Sequence, residues 1–181
     1  SCCRCSYSRS SSPFFPCESH PSDHPPPTIH PGCMCIVILQ DLFTFGKNSM
    51  GQLGQKHTNK VTVPERVRMF AKLKVDLVAC GNHHTIVTLV DGTMYGFGSN
   101  AEHQLGIHED LDQVSEPTLV HFPKKSKHSW IAVSCGTSHS VALDAKNTAF
   151  VWGSNEEGQL GCGKDTVQKV PHQQKKPGHV T

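Results

Sequence analysis

The stretch "YGFGSNAEHQLG", residues 95 to 106, decides how this chain is read. Two related stretches flank it, "FTFGKNSMGQLG" at 43 to 54 and "FVWGSNEEGQLG" at 150 to 161. A phosphate-cradling loop would need its glycines to lead into a helix, so that backbone N–H groups and the helix dipole face the anion. Here the glycines lead instead into a polar loop, a proline and another strand-like segment. They also occur three times, and one nucleotide site does not need three copies. The glycines therefore read as punctuation in a repeated structure.

The spacing supports that reading. Gly81 to Gly98 and Gly136 to Gly153 are each 17 residues apart, and Gly46 to Gly54, Gly98 to Gly106 and Gly153 to Gly161 are each 8. A proline follows each copy, at Pro64, Pro117 and Pro171. Self-similarity at a period of 52 to 55 residues marks a repeat architecture. Within each unit "VDLVAC", "TIVTLV" and "TMYGFG", then "WIAVSC", "SVAL" and "AFVWG", are short and rich in β-branched and aromatic residues, as strands are. Asp91-Gly92 predicts a tight hairpin with positive φ at both central positions. Asn147 is the residue of its turn best suited to a left-handed conformation. "VRMF" and "TLVHF" are expected to supply the fourth strand. Four antiparallel strands per unit make a propeller blade, so the expected fold is all-β, an incomplete β-propeller with two full blades and a leading half.

Within the punctuation, Phe45, Phe97 and Trp152 are expected to face the core. Asn48, Asn100 and Asn155 should bond the backbone of their own turns. Leu53, Leu105 and Leu160 should plug the blade interior, and Gln52, Gln104 and Gln159 should satisfy backbone groups. His103 stands where the other copies carry Gly51 and Gly158, a position that wants positive φ, which histidine tolerates better than most residues. His84 and His139 hold the same place in successive units. Catalytic histidines are singular and architectural ones repeat, so both are assigned to architecture along with Gly81, Gly98, Gly106, Gly136, Gly153 and Gly161.

These residues resemble the repeats of the regulator of chromosome condensation family. The repeat pairs a G-x-x-H segment with (W/F)-G-x-N-x-x-G-Q-L-G, as in "CGNHHTIVTLVDGTMYGFGSNAEHQLG" and "CGTSHSVALDAKNTAFVWGSNEEGQLG". The resemblance covers residues 36 to 171 and implies a seven-bladed propeller. It also implies a protein partner. The family's founding member catalyses nucleotide exchange on a Ran-type small GTPase and docks on chromatin, and other relatives serve as interaction modules in ciliary proteins, kinases and ubiquitin ligases. The leading half-unit departs from the pattern by lacking G-x-x-H, with "PGCMCIVILQDLFTFG" running straight into a strand pair. About 50 residues per blade leave the repeat region short of even a four-bladed ring. Together with the missing initiator Met, this leads to the expectation of a fragment of a longer protein.

Composition narrows the function further. The chain has 181 residues, 36% hydrophobic and 18% charged, with a formal net charge of +2. So small a charge does not argue for nucleic acid, chromatin or a membrane surface. The longest apolar run, Cys33 to Leu39, is too short to span a bilayer. Residues 1 to 35 hold eight Ser, seven Pro and six Cys and read as a disordered leader, while 172 to 181 read as a polar tail. Nine cysteines, an odd number without a secretory signal, point to a reducing, intracellular compartment, cytoplasmic or nuclear. The leader cysteines lack the paired spacing of a zinc site, and thirteen histidines form no metalloprotease-type pattern. No catalytic residue, metal or cofactor is assigned. The chain reads as a non-enzyme, at most an exchange factor.

What remains for binding is the variable segments. Gly54 to Gly81 spans 27 residues and Gly106 to Gly136 spans 30, the extra length falling around "FPKKSKHSW". Lys124, Lys125 and Lys127 sit on that expanded loop, and Glu109, Asp110 and Asp112 form an acidic segment. These six are the candidate partner contacts, since binding concentrates on loops held by rigid scaffolds. For both clusters the plainer reading is a solvated surface.

Overall fold

A computed structural model describes residues 33–38, 40–123, 127–163 and 167–174. Eleven strands in these residues form three antiparallel sheets. The first contains β1 (Cys33–Ile38), β2 (Asp41–Gly46) and β3 (Val61–Arg66) in that order. The second contains β4 (Val75–Cys80), β5 (His84–Leu89), β6 (Met94–Ser99) and β7 (Gln113–Leu119). The third contains β8 (Trp130–Cys135), β9 (His139–Asp144), β10 (Ala149–Gly153) and β11 (Gln168–Gln173). Each strand pairs with its neighbour in sequence, the meander of a propeller blade, and the sheets do not close into a ring. The fold is an incomplete β-propeller.

The alternation of apolar and polar residues sets how the sheets stack. Every residue of β5 is buried, because the second sheet is covered on both faces. In β9 the pattern alternates: Ser140, Ala142 and Asp144 are buried and His139, Val141 and Leu143 are half-buried. A period of two is what a sheet covered on one face produces. Two cores fill the joints. Leu42, Leu53, Val87 and Phe97 belong to the one between the first and second sheets. Ile86, Leu105, Ala142 and Trp152 belong to the one between the second and third.

In each sheet the strand beside the last one is irregular at the aromatic position. Its pairing with the last strand shifts between Thr44 and Gly46, between Gly96 and Gly98, and between Val151 and Gly153. Gly98 takes φ +111° there, and a Cβ would lie 2.7 Å from the Cα of His84. Only glycine permits both the dihedral and the approach.

Several expectations need correction. "VRMF" is not a strand: Arg68–Phe70 forms a 3-10 turn, and the last strand of the first sheet is β3, one segment earlier. The turn buries Phe70 against Tyr95, edge to face at 5.5 Å, so its hydrophobic residues serve a core plug instead of a ladder. β7 likewise begins at Gln113 and ends at Leu119, ahead of most of "TLVHF". Pro64 and Pro117 lie within the last strands of their sheets, which are sheet edges, where a missing N–H costs no ladder bond. At Asp91-Gly92 only Gly92 has positive φ (+91°). Asp91 instead accepts the Thr93 N–H at 2.9 Å, an Asx-type closure. Its carboxyl is held below the usual range by the bonds from Thr93, backbone first. Asn147 (φ +58°) and His103 (φ +54°) do adopt the left-handed conformation.

Most of the leader at 1 to 35 lies outside the described residues. Its last three belong to β1, and Cys35 is buried in the first core. The tail boundary at 172 falls within β11, and 175–181 lie outside the described residues.

Candidate partner-binding loops and the joints that hold them

Each glycine-rich turn is built the same way. The Asn carboxamide oxygen accepts the N–H of the following Leu: Asn48 from Leu53 at 2.9 Å, Asn100 from Leu105 at 3.1 Å, Asn155 from Leu160 at 2.8 Å. Each Gln side chain closes the turn from inside, its Oε1 accepting the N–H two residues earlier: Met50, Glu102 and Glu157 for Gln52, Gln104 and Gln159. The Gln backbone carbonyl then faces the next sheet. Gln52 O accepts the Thr85 hydroxyl at 2.9 Å. Gln104 O accepts both the Ser140 hydroxyl and the Trp152 indole N–H, each at 2.8 Å.

His84 completes the second joint. Its Nε2 lies 3.0 Å from the Ser140 hydroxyl oxygen, and the His84 side chain is fully buried. Ser140 has one proton and gives it to the Gln104 carbonyl, which can only accept. His84 Nε2 must therefore carry the hydrogen and donate to Ser140. A chain His84–Ser140–Gln104 thus ties the second sheet to the third. His139, the counterpart of His84, is only half-buried. Burial holds its pKa below the ordinary 6.5. Gln159 and Gly161 are exposed, unlike Gln104 and Gly106. His83, beside His84, is half-buried, because its carbonyl accepts the Ser99 N–H at 2.8 Å and draws it onto β6. Phe45 is only partly buried, in contrast to Phe97 and Trp152. Phe97 packs on Gly54 and Trp152 on Gly106 of the preceding sheet, and among the described residues nothing precedes the first sheet.

The candidate partner contacts divide into two places. Glu109, Asp110 and Asp112 are exposed. Their segment is fixed by its backbone, since Asn100 donates its side-chain amide to Leu111 O at 2.8 Å and its N–H to Asp112 O at 2.6 Å. Asp110 lies 3.6 Å from Lys169 of β11 and 3.9 Å from His103 Nε2. So exposed a pair contributes little to stability. Lys127 is exposed at the other end of the strands, near enough to the Asp91 turn to help lower that carboxyl. Lys124 and Lys125 lie outside the described residues. Lys127 and the acidic candidates therefore lie on two separate surfaces.

Sequence reasoning missed an aromatic cluster next to Lys127. Its Phe122 and Trp130 rings have centroids 5.2 Å apart, and Phe150 meets Phe122 edge to face at 5.5 Å. His128 stacks on Trp130 at 4.7 Å, and the Trp130 indole donates to Gly92 O at 2.8 Å. The nearby Asp144 is buried and accepts N–H groups from Lys146 and Thr148 at 2.9 and 3.0 Å. Burial pushes its pKa up, and these bonds, with His128, more than offset it, leaving the carboxyl below its ordinary value. The aromatic residues of "FPKKSKHSW" and "AFVWG" were the available signal. Among the described residues no group of three or more His, Cys, Asp or Glu is arranged to hold a metal, and no helix is long and apolar enough to cross a membrane.

The chain matches the regulator of chromosome condensation (RCC1) repeat over residues 41–88, 91–143 and 146–181. It belongs to that repeat family. The first two matched repeats each straddle two sheets, so 91–143 contributes β6 and β7 to one and β8 and β9 to the next. Over 132 residues, 73% of this chain, it is 38% identical to the human probable E3 ubiquitin-protein ligase HERC6 and 35% identical to the human X-linked retinitis pigmentosa GTPase regulator. It spans 13% of the length of each. The crystal structure of Prp20p from Saccharomyces cerevisiae, described with its binding properties to Gsp1p and histones, superposes over 80% of this chain and 36% of Prp20p. The TM-score is 0.70 at 24% identity, a likeness of fold.

Proposed function

We propose that this RCC1-repeat segment is part of a protein-binding propeller that regulates a small GTPase. The observation that carries the reading is where the polar chemistry goes. His84, Ser140, Gln104 and Trp152 are buried and spent on joining sheets, so the groups left to meet a partner are loop charges on a rigid scaffold. The names of the GTPase regulator and of the Gsp1p-binding Prp20p support a GTPase as partner. In an exchange role the propeller would stabilise the nucleotide-free GTPase so that bound nucleotide leaves. No residue here is assigned to acid–base or nucleophilic chemistry. Chromatin is a weaker candidate, because a net charge of +2 gives little electrostatic attraction to DNA.

The likeness to HERC6 favours a second reading, a non-catalytic scaffold module of a larger ciliary, cytoskeletal or ubiquitin-ligase protein. Fluorescent-nucleotide release from a Ran-type GTPase, measured with the full-length protein, separates the two. Accelerated release supports regulation by exchange. Binding without acceleration supports the scaffold, and no binding in either nucleotide state overturns the GTPase reading.

A further inference from the structure

Cys35 and Cys80 come from different sheets and meet in the first core. Their sulfurs are 3.1 Å apart although the residues are 45 positions apart in sequence. Cys35 lies in β1 and Cys80 ends β4, and the two are 3% and 4% exposed. Both are thiols in this structure. A disulfide needs its sulfurs at about 2.05 Å, so closing the bond takes a movement of about 1 Å.

We propose that Cys35 and Cys80 are an oxidation site at which a peroxide converts the pair to an intramolecular disulfide that locks the first sheet onto the second. One thiolate attacks a peroxide oxygen, the O–O bond breaks, and hydroxide leaves with a sulfenic acid on sulfur. The second thiol attacks that sulfur, the S–O bond breaks, and the oxygen leaves as water with the proton it needs. Overall two thiols and one hydrogen peroxide give one disulfide and two waters. Burial at 3% and 4% exposure shields both thiols from a peroxide and slows their reaction. The first attack therefore waits on local opening, and β1 is suited to open because, among the described residues, it pairs with β2 alone. Once a sulfenic acid forms, reclosure brings the second sulfur back beside it. That favours the disulfide over further oxidation.

The bond would close a long loop containing β2, β3 and the 3-10 turn. Constraining such a loop raises thermal stability by roughly 5–15 °C for a chain of this size. The test is treatment of the whole chain with hydrogen peroxide, then non-reducing peptide mapping by fragmentation mass spectrometry and thermal denaturation with and without dithiothreitol. The expected result is a Cys35–Cys80 cross-linked peptide and a raised, dithiothreitol-reversible midpoint. Cys80→Ala should abolish both, and Cys35→Val does the same should Cys80→Ala fail to fold. Mapping also distinguishes this bond from one made by Cys2, Cys3, Cys5, Cys17 or Cys33. A disulfide that bypasses Cys35 or Cys80, sulfinic acid at either without the cross-link, or an unchanged midpoint in cross-linked protein overturns the proposal.

Discussion

Replacing Gly106 and Gly161 by alanine, one at a time, measures what the joint between sheets is worth. The two glycines end successive copies of the same turn and have nearly the same backbone, φ +65° and +62°. Each substitution pays the left-handed penalty of roughly 1–2 kcal/mol, partly offset by about 0.4–1 kcal/mol from a stiffer unfolded chain. Their surroundings differ. A Cβ on Gly106 would lie 2.9 Å from the Trp152 indole nitrogen, 3.0 Å from its Cδ1 and 3.1 Å from Pro171 Cδ, while one on Gly161 would meet nothing within 4 Å. Trp152 is fully buried and bonded to Gln104 O, so it cannot retreat freely, and overpacking adds about 1–3 kcal/mol. Gly106→Ala should therefore destabilise more than Gly161→Ala by about 1–3 kcal/mol, roughly 3–10 °C in thermal midpoint for a chain of this size. Urea denaturation followed by tryptophan fluorescence and circular dichroism gives both numbers. Trp152→Phe removes the contacting nitrogen, so the Gly106→Ala penalty should shrink in that background, a coupling that a double-mutant cycle reads directly. Equal losses for the two alanine variants, within about 0.5 kcal/mol, would show that the turn carries only backbone strain and that the indole contact is not an energetic joint.

The remaining expectations concern the joint's polar groups and the loops. Ser140→Ala removes the link between His84 and Gln104 O and should cost about 1–3 kcal/mol, whereas exposed Thr137→Ala should stay within about 0.5 kcal/mol; chemical denaturation of both variants checks this. His84→Ala should cost clearly more than His139→Ala, since only His84 is fully buried and bonded across sheets, and similar midpoints for the two would refute the asymmetry. Because burial lowers the folded pKa of His139 below 6.5, its contribution is fully present above pH 6.5 and is lost as the pH falls toward the folded pKa; His139→Gln should flatten that part of the stability–pH curve. Lys124→Glu with Lys127→Glu should leave stability within about 0.5 kcal/mol but slow association with an acidic partner and reduce its salt sensitivity, and unchanged binding kinetics in the full-length protein would remove this loop from the interface.

The repeat was legible because its signals are local. Asn48, Asn100 and Asn155 bond within their own turns, and Asn147 and His103 take conformations set by a residue and its neighbours. The last strand of the first sheet was misplaced because "VRMF" has strand-like composition, and nothing local shows that Phe70 is needed as a plug under Tyr95. His84 and His139 look identical in the sequence, yet one is buried and bonded across the joint and the other is half-buried. That difference comes from the neighbouring sheet, which no pattern within a repeat encodes. The same reasoning separates Lys127, near the Asp91 turn, from the acidic segment bonded to Asn100, at opposite ends of β6. Repetition thus identifies the residues that build joints, and through them the fold. We propose that partner contacts lie where the copies differ, as in the longer segment between Gly106 and Gly136, in which Phe122, His128 and Trp130 pack together. The exposed Lys127 stands next to this aromatic cluster, and binding concentrates on loops held by rigid scaffolds, which makes that surface the one to test first.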